Sequence, residues 1–205
     1  MKPGLFYDII RYILIFFLKI ICRYEVHGLE NIPEHGKLIL CPNHISNLDA
    51  PLLIAAQKRK INFMGKSELF KNKFLSKVFT KMGVFPVNRG KGDTQAINTA
   101  IQVLEEDLIL GIFIEGTRSK TGELLRPKSG AALIAFNTNS PVLPVCITTT
   151  NGKGLKIFKK VIISYAKPLS IKELGLTKGG AHEFRNATRL IMDRISDMKQ
   201  YYIKS

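Results

Sequence analysis

The segment Asn43-His44-Ile45-Ser46-Asn47-Leu48-Asp49 places an imidazole five residues ahead of a carboxylate. His44 carries the only nearby side chain that takes up a proton near neutral pH. A turn between the two residues would bring Asp49 back onto the ring, fix its tautomer and stabilise the imidazolium as it forms. No Ser stands in a G-x-S-x-G elbow, so a covalent serine nucleophile has no expected context. A His–Asp pair without such a nucleophile suits activation of a hydroxyl that a substrate brings. The same residues also read as a helix N-cap, Asp49, beside a turn histidine. Both readings account for the segment.

Three further segments offer groups for an anion. Gly83-Val84-Phe85-Pro86-Val87-Asn88-Arg89-Gly90 sets Arg89 in a Gly-flanked turn after a short strand, where a guanidinium can meet a phosphate. In Phe113-Ile114-Glu115-Gly116-Thr117-Arg118-Ser119, Gly116 permits close backbone approach, and Thr117 and Arg118 supply donors. Glu115 is expected to pair with Arg118 and aim it. Lys128, in Arg126-Pro127-Lys128-Ser129-Gly130, precedes a helix start, itself an anion site. Singly these are solvated charges. Together Arg89, Arg118 and Lys128 lie just outside strand ends or helix starts and fit one anionic pocket. Val142-Leu143-Pro144-Val145-Cys146-Ile147 reads as core strand, with the lining of an acyl channel as its other use.

These segments need a scaffold that gathers strand ends. Apolar runs predict strands at 37–41, 61–64, 84–87, 109–114, 142–148 and 161–165. Helical spacing falls at 50–57, 67–82, 93–107 (capped by Asp93 or Thr94), 130–137 and 181–202. The alternation predicts one α/β domain, a sheet flanked by helices.

Residues 5–22 are mostly Leu, Ile, Phe and Tyr. Asp8 and Arg11 interrupt the run and no A-x-A site follows, which argues against a signal peptide. The uncharged stretch 12–18 is far shorter than the ~20 apolar residues of a span. On a helix, Asp8, Arg11, Lys19 and Arg23 fall within about 120° and apolar residues fill the rest. The favoured reading is an amphipathic helix lying in the membrane interface, its cations on lipid phosphate. A tilted span and packing on the core are the other readings. The expected division is a membrane-associating helix at 1–24 and a catalytic domain at 25–205.

At 205 residues, 45% apolar and 23% charged, the chain is one ordinary globular domain, neither disordered nor collagenous. Its three Cys are far apart, so neither a disulfide framework nor a metal site is expected. With 31 Lys and Arg against 16 Asp and Glu, the net charge of +15 points to a polyanionic partner. Nucleic acid is disfavoured: there is no Trp, no evident recognition helix and no aromatic run among the basic residues.

The order NHISNLD, GVFPVNRG, FIEGTRS, VLPVCI, spanning about residues 37–165, resembles the four blocks of the glycerolipid acyltransferases. Within them it is most similar to the bacterial 1-acylglycerol-3-phosphate acyltransferases, and Lys66-Ser67-Glu68-Leu69-Phe70-Lys71 resembles their segment between the first two blocks. Ile114 and Asn88 stand where that family has Pro and Asp.

The resemblance implies a glycerol-3-phosphate acyltransferase-like fold with a mixed sheet. It implies acyl transfer from an acyl-carrier-protein or coenzyme A thioester to the sn-2 hydroxyl of lysophosphatidic acid, with no cofactor beyond the donor. His44 would be the general base, oriented by Asp49, and the alkoxide would attack the thioester directly. Backbone N–H groups near the first block would meet the oxyanion. Arg89, Glu115, Gly116, Thr117 and Arg118 would hold the phosphate end, with Lys128 as an addition. Asn43 and Ser46 are placed with the substrate as well. Anionic lipid at the cytoplasmic face of the membrane would be the partner surface. Rival readings are an acyltransferase or transacylase for another lysolipid, and a non-catalytic peripheral lipid-binding protein.

Overall fold

Two apolar runs without alternation, LILCP (β2, Leu38–Pro42) and VLPVCITT (β6, Val142–Thr149), are buried along their whole length. Central strands of a sheet covered on both faces must be so. In this computed structural model, which describes residues 4–88, 93–155 and 158–204, the two lie side by side in the middle of a seven-stranded sheet. The other strands are β1 (Arg23–His27), β3 (Ile61–Lys66), β4 (Val84–Val87), β5 (Ile109–Gly111) and β7 (Lys160–Tyr165). The order is β1-β7-β6-β2-β5-β3-β4. Strands β6, β2, β5, β3 and β4 run parallel, with Leu40 opposite both Gly111 and Leu143. β7 is antiparallel to β6, and β1 is parallel to β7. The sheet is therefore mixed. The carboxyl ends of β2 to β6 and the amino ends of β1 and β7 meet at one end.

Side chains of β2 alternate between two cores, as a pleated strand requires. Leu38 and Leu40 join Tyr7, Leu18, Leu53 and Ile163 under α1 (Leu5–Ile21) and α2 (Asp49–Ala56). Ile39 and Cys41 join Leu104, Ile134 and Ile191 under α4 (Thr94–Glu105), α5 (Gly130–Thr138) and α6 (Ala181–Lys204). The α/β class, the flanking helices and the single domain agree with the sequence.

Three elements differ, and one offered alternative is resolved. The helix expected at 67–82 is a 3-10 turn, Ser67–Phe70, followed by α3 (Lys73–Lys81), because Asn72 caps α3 by accepting from the N–H groups of Phe74 and Leu75. Of the two caps offered for α4, Asp93 accepts from Ala96 N–H at 3.0 Å. The strand expected at 109–114 ends at Gly111, although Ile112 and Ile114 still donate to the carbonyls of Leu40 and Pro42 at 2.9 and 3.0 Å. β1 is a short, half-exposed edge strand that apolar runs do not mark. A boundary between residues 24 and 25 falls inside it, and α1 shares one continuous core with the sheet.

The basic stripe of α1 faces inward in part. Arg11 donates to the carbonyls of Gln57, Ile54 and Ala55 at 2.8, 3.1 and 3.2 Å. It closes the carboxyl end of α2, where orphan carbonyls and the helix dipole favour a cation. Arg11 is thus not a partner for lipid phosphate. The opposite face of α1 is apolar and open: Leu5, Ile9, Tyr12, Ile13, Phe16, Phe17 and Ile20 are all exposed. No helix among the described residues is long and apolar enough to cross a membrane.

Candidate active site

Past β2 the chain bends at Asn43, whose side chain is fully buried. Its amide donates to Ile147 O at 2.9 Å and accepts from Ile147 N–H at 2.7 Å, copying a backbone pairing onto β6. Asn43 therefore holds the loop in place, with both polar atoms of its amide engaged on β6. The loop is short and tightly tied, so His44 emerges at the carboxyl end of the central strand. Such ends are where open α/β sheets bind ligands.

His44 Nδ1 lies 2.7 Å from Asp49 Oδ2. Asp49 is fully buried at the start of α2, and the same oxygen accepts from the N–H groups of Ile45 and Ser46, each at 2.7 Å. One carboxylate oxygen thus ties down both the loop backbone and the imidazole, while α2 starts at Asp49 without a side-chain cap. With Nδ1–H donated to the carboxylate, Nε2 is left as the proton acceptor. Phe113 stacks on the ring with centroids 3.9 Å apart and planes at 20°, and Phe63 stacks behind it at 5.8 Å. Apolar spacing marks Phe113 only as core, because an aromatic at a strand end carries no separate signal.

The FIEGTRS segment wraps against the histidine loop. Gly116 donates to Phe113 O at 2.9 Å in a left-handed turn, φ 67°, that favours glycine. Ser119 N–H donates to His44 O at 2.8 Å. The Glu115 carboxylate accepts from His44 N–H at 3.4 Å and is buried. Its other oxygen, like Asp49 Oδ1, has no hydrogen-bond partner among the described residues. Burial pushes the Glu115 pKa up to about 7; the backbone N–H groups of His44 and Leu125 oppose this, and the Asp49 charge adds to it. The expected Glu115–Arg118 ion pair is not formed among the described residues: Glu115 turns inward while Thr117 and Arg118 are exposed. Lys128 N–H donates to Ile114 O at 2.8 Å, and its side chain runs past Gly116, where a Cβ would lie 3.3 Å from Lys128 Cγ. Arg89 lies outside the described residues.

Within the first block, the N–H groups of residues 43–46 are engaged: Asn43 with Val145, His44 with Glu115, Ile45 and Ser46 with Asp49. Ser46 Oγ accepts from Leu48 N–H at 3.1 Å, a local turn bond. β6 is buried on both faces, so it forms core and lines no channel. An apolar cavity of about 180 Å³ lies instead among Met64, Val87, Ile97, Phe113, Ile134 and Lys128. Lys199 of α6, which spacing marks only as part of a packing helix, donates to Gly122 O at 2.8 Å and pins the loop that follows FIEGTRS.

A buried His–Asp pair thus stands at the carboxyl end of a mostly parallel sheet, with a cationic loop and an apolar cavity beside it. The chain belongs to the acyltransferase family, whose model, described as Acyltransferase, matches residues 23–148. It is 32% identical over 176 residues to a 1-acyl-sn-glycerol-3-phosphate acyltransferase of Borreliella burgdorferi, covering 83% of this chain and 69% of that protein. It is 33% identical over 137 residues to the Bacillus subtilis protein of the same name, covering 66% and 67%. The crystal structure of the 1-acyl-sn-glycerophosphate (LPA) acyltransferase PlsC from Thermotoga maritima matches with a TM-score of 0.72 and 25% identity, over 94% of this chain and 81% of that one.

Proposed function

We propose that the protein transfers an acyl chain from a thioester to the sn-2 hydroxyl of 1-acyl-sn-glycerol-3-phosphate, making phosphatidic acid. The observation that carries this reading is the 2.7 Å His44–Asp49 contact, which leaves Nε2 as a base beside a cationic loop. His44 Nε2 takes the hydroxyl proton as the oxygen attacks the thioester carbonyl. Collapse of the tetrahedral intermediate expels the thiolate, which receives the proton back from the imidazolium. Asp49 holds the ring and offsets its charge. Thr117, Arg118, Lys128 and Arg89 serve the acceptor phosphate. The apolar cavity between Phe113 and Ile134 receives acyl chain. The donor is an acyl-carrier-protein or coenzyme A thioester.

The open apolar face of α1 rests in the membrane interface, at the cytoplasmic face. Sheet direction supports this. β1 runs opposite to β2, so the carboxyl end of α1, with Phe17 and Ile20, lies at the same sheet end as His44. The test is turnover of a labelled long-chain thioester with lysophosphatidic acid, beside a His44→Ala control. Phosphatidic acid is expected only with the intact histidine. No product with either thioester, but product with another lysolipid, would overturn the acceptor.

A further inference from the structure

α3 is a helix with no buried residue. Phe74 is 74% exposed, although an edge helix normally turns its largest apolar group inward. Lys73, Lys77 and Lys81 recur every fourth residue and so form one stripe, with Phe74 beside it in projection. Across residues 66–82 there are five lysines and a single acid, Glu68, which Lys66 already holds at 3.0 Å. Leu69 and Leu75 add exposed apolar surface at the same place. An aromatic ring standing out in a field of ammonium groups matches the boundary of a bilayer with anionic headgroups. The ring enters the acyl region, the alkyl stems follow it, and the charges stay at phosphate depth.

Two further observations say why a bilayer is the occupant. The surface is continuous with the outer face of α1: Lys81 Nζ stands 5.0 Å from the centroid of the Phe6 ring. β3 runs parallel to β5 and β2, so it delivers the Ser67–Phe70 turn to the same sheet end as His44. The two helices divide the work chemically. The open face of α1 is almost wholly apolar and is indifferent to headgroup charge, whereas α3 sets three lysines beside one exposed ring.

We propose that α3 and the turn before it form a second lipid-contact surface, selective for anionic headgroups, which together with α1 faces the site toward the bilayer. This rests on the interfacial placement of α1 proposed above.

The test is sedimentation of the full chain with vesicles of phosphatidylcholine alone and of equimolar phosphatidylcholine and phosphatidylglycerol. Circular dichroism checks the fold of each variant. Each lysine near an anionic surface contributes about fivefold in affinity, so K73Q/K77Q is expected to lose on the order of 25-fold on the anionic vesicles and nothing on the neutral ones. Phe74→Ser is expected to weaken binding to both. Wild-type protein without preference for anionic vesicles, or K73Q/K77Q with the wild-type preference, would overturn the proposal. So would a K73Q/K77Q protein that binds vesicles normally but loses turnover with the carrier-protein thioester alone, since the stripe would then belong to an acidic protein. Phe16→Ser/Phe17→Ser reports separately on α1. If that variant binds both vesicles as the wild type does, the placement of α1 fails, whatever α3 does.

Discussion

Asp49→Asn isolates the electrostatic part of the proposed chemistry from its geometry. The carboxylate Oδ2 accepts from His44 Nδ1, Ile45 N–H and Ser46 N–H, all at 2.7 Å. An amide oxygen in that place keeps the two backbone bonds, so the loop before α2 stays tied. What it loses is charge. The imidazolium formed when His44 takes the hydroxyl proton would sit about 4 Å from the carboxylate centre, an attraction of about 4 kcal/mol at an effective dielectric near 20. The amide nitrogen must also occupy the position of Oδ1, which is buried with no hydrogen-bond partner among the described residues. If it rotates toward the ring instead, the imidazole proton moves to Nε2 and the base is blocked. Either arrangement lowers kcat by about 10³-fold or more, since ~1.4 kcal/mol of barrier is tenfold in rate. KM for thioester and acceptor changes little, because the carboxylate is buried away from both. The assay is the initial rate at saturating thioester and lysophosphatidic acid, with thermal unfolding as the check on folding. A folded Asp49→Asn variant with kcat within tenfold of wild type would refute the role of Asp49.

Glu115→Gln tests the buried carboxylate beside His44. Its folded-state pKa of about 7 lies above its ordinary 4.5, so the folded protein binds that proton more tightly than the unfolded chain. The stabilisation is complete below about pH 4.5 and is lost as pH rises through about 7, a difference of about 3 kcal/mol. Denaturant unfolding at pH 5 and pH 7 should show wild type losing stability relative to the Gln variant; parallel losses would place the Glu115 proton elsewhere. Arg11→Gln removes three bonds to the carboxyl end of α2 and is expected to cost about 1–2 kcal/mol of stability, read as a lower melting temperature with vesicle binding intact. Retained stability with lost vesicle binding would return Arg11 to the lipid.

The elements are legible because their cause is local. β2 and β6 announce themselves as unbroken apolar runs, since both faces are covered. Asn72 is equally readable as a cap, but apolar spacing across 67–82 masks it until the turn is seen. Polar groups divide by the distance to their partner along the chain. His44 and Asp49 are five apart, and Asp93 caps a residue three away, so spacing and cap preference find both. Glu115 has Arg118 three residues on, and local reasoning pairs them. The carboxylate instead accepts from a backbone N–H 71 residues away. Asn43 meets Ile147 across 104 residues, Lys199 meets Gly122 across 77, and Arg11 meets Ile54 across 43. A buried donor or acceptor left unpaired costs about 1–3 kcal/mol, more than an exposed ion pair returns, so these long-range partners win over the near ones. That inequality also explains the inside-out helix α1. Amphipathic reading assumes that water is the best partner for an arginine, but the open carbonyls of α2 are a better one. Once Arg11 turns inward to meet them, the apolar side of the helix is left facing out.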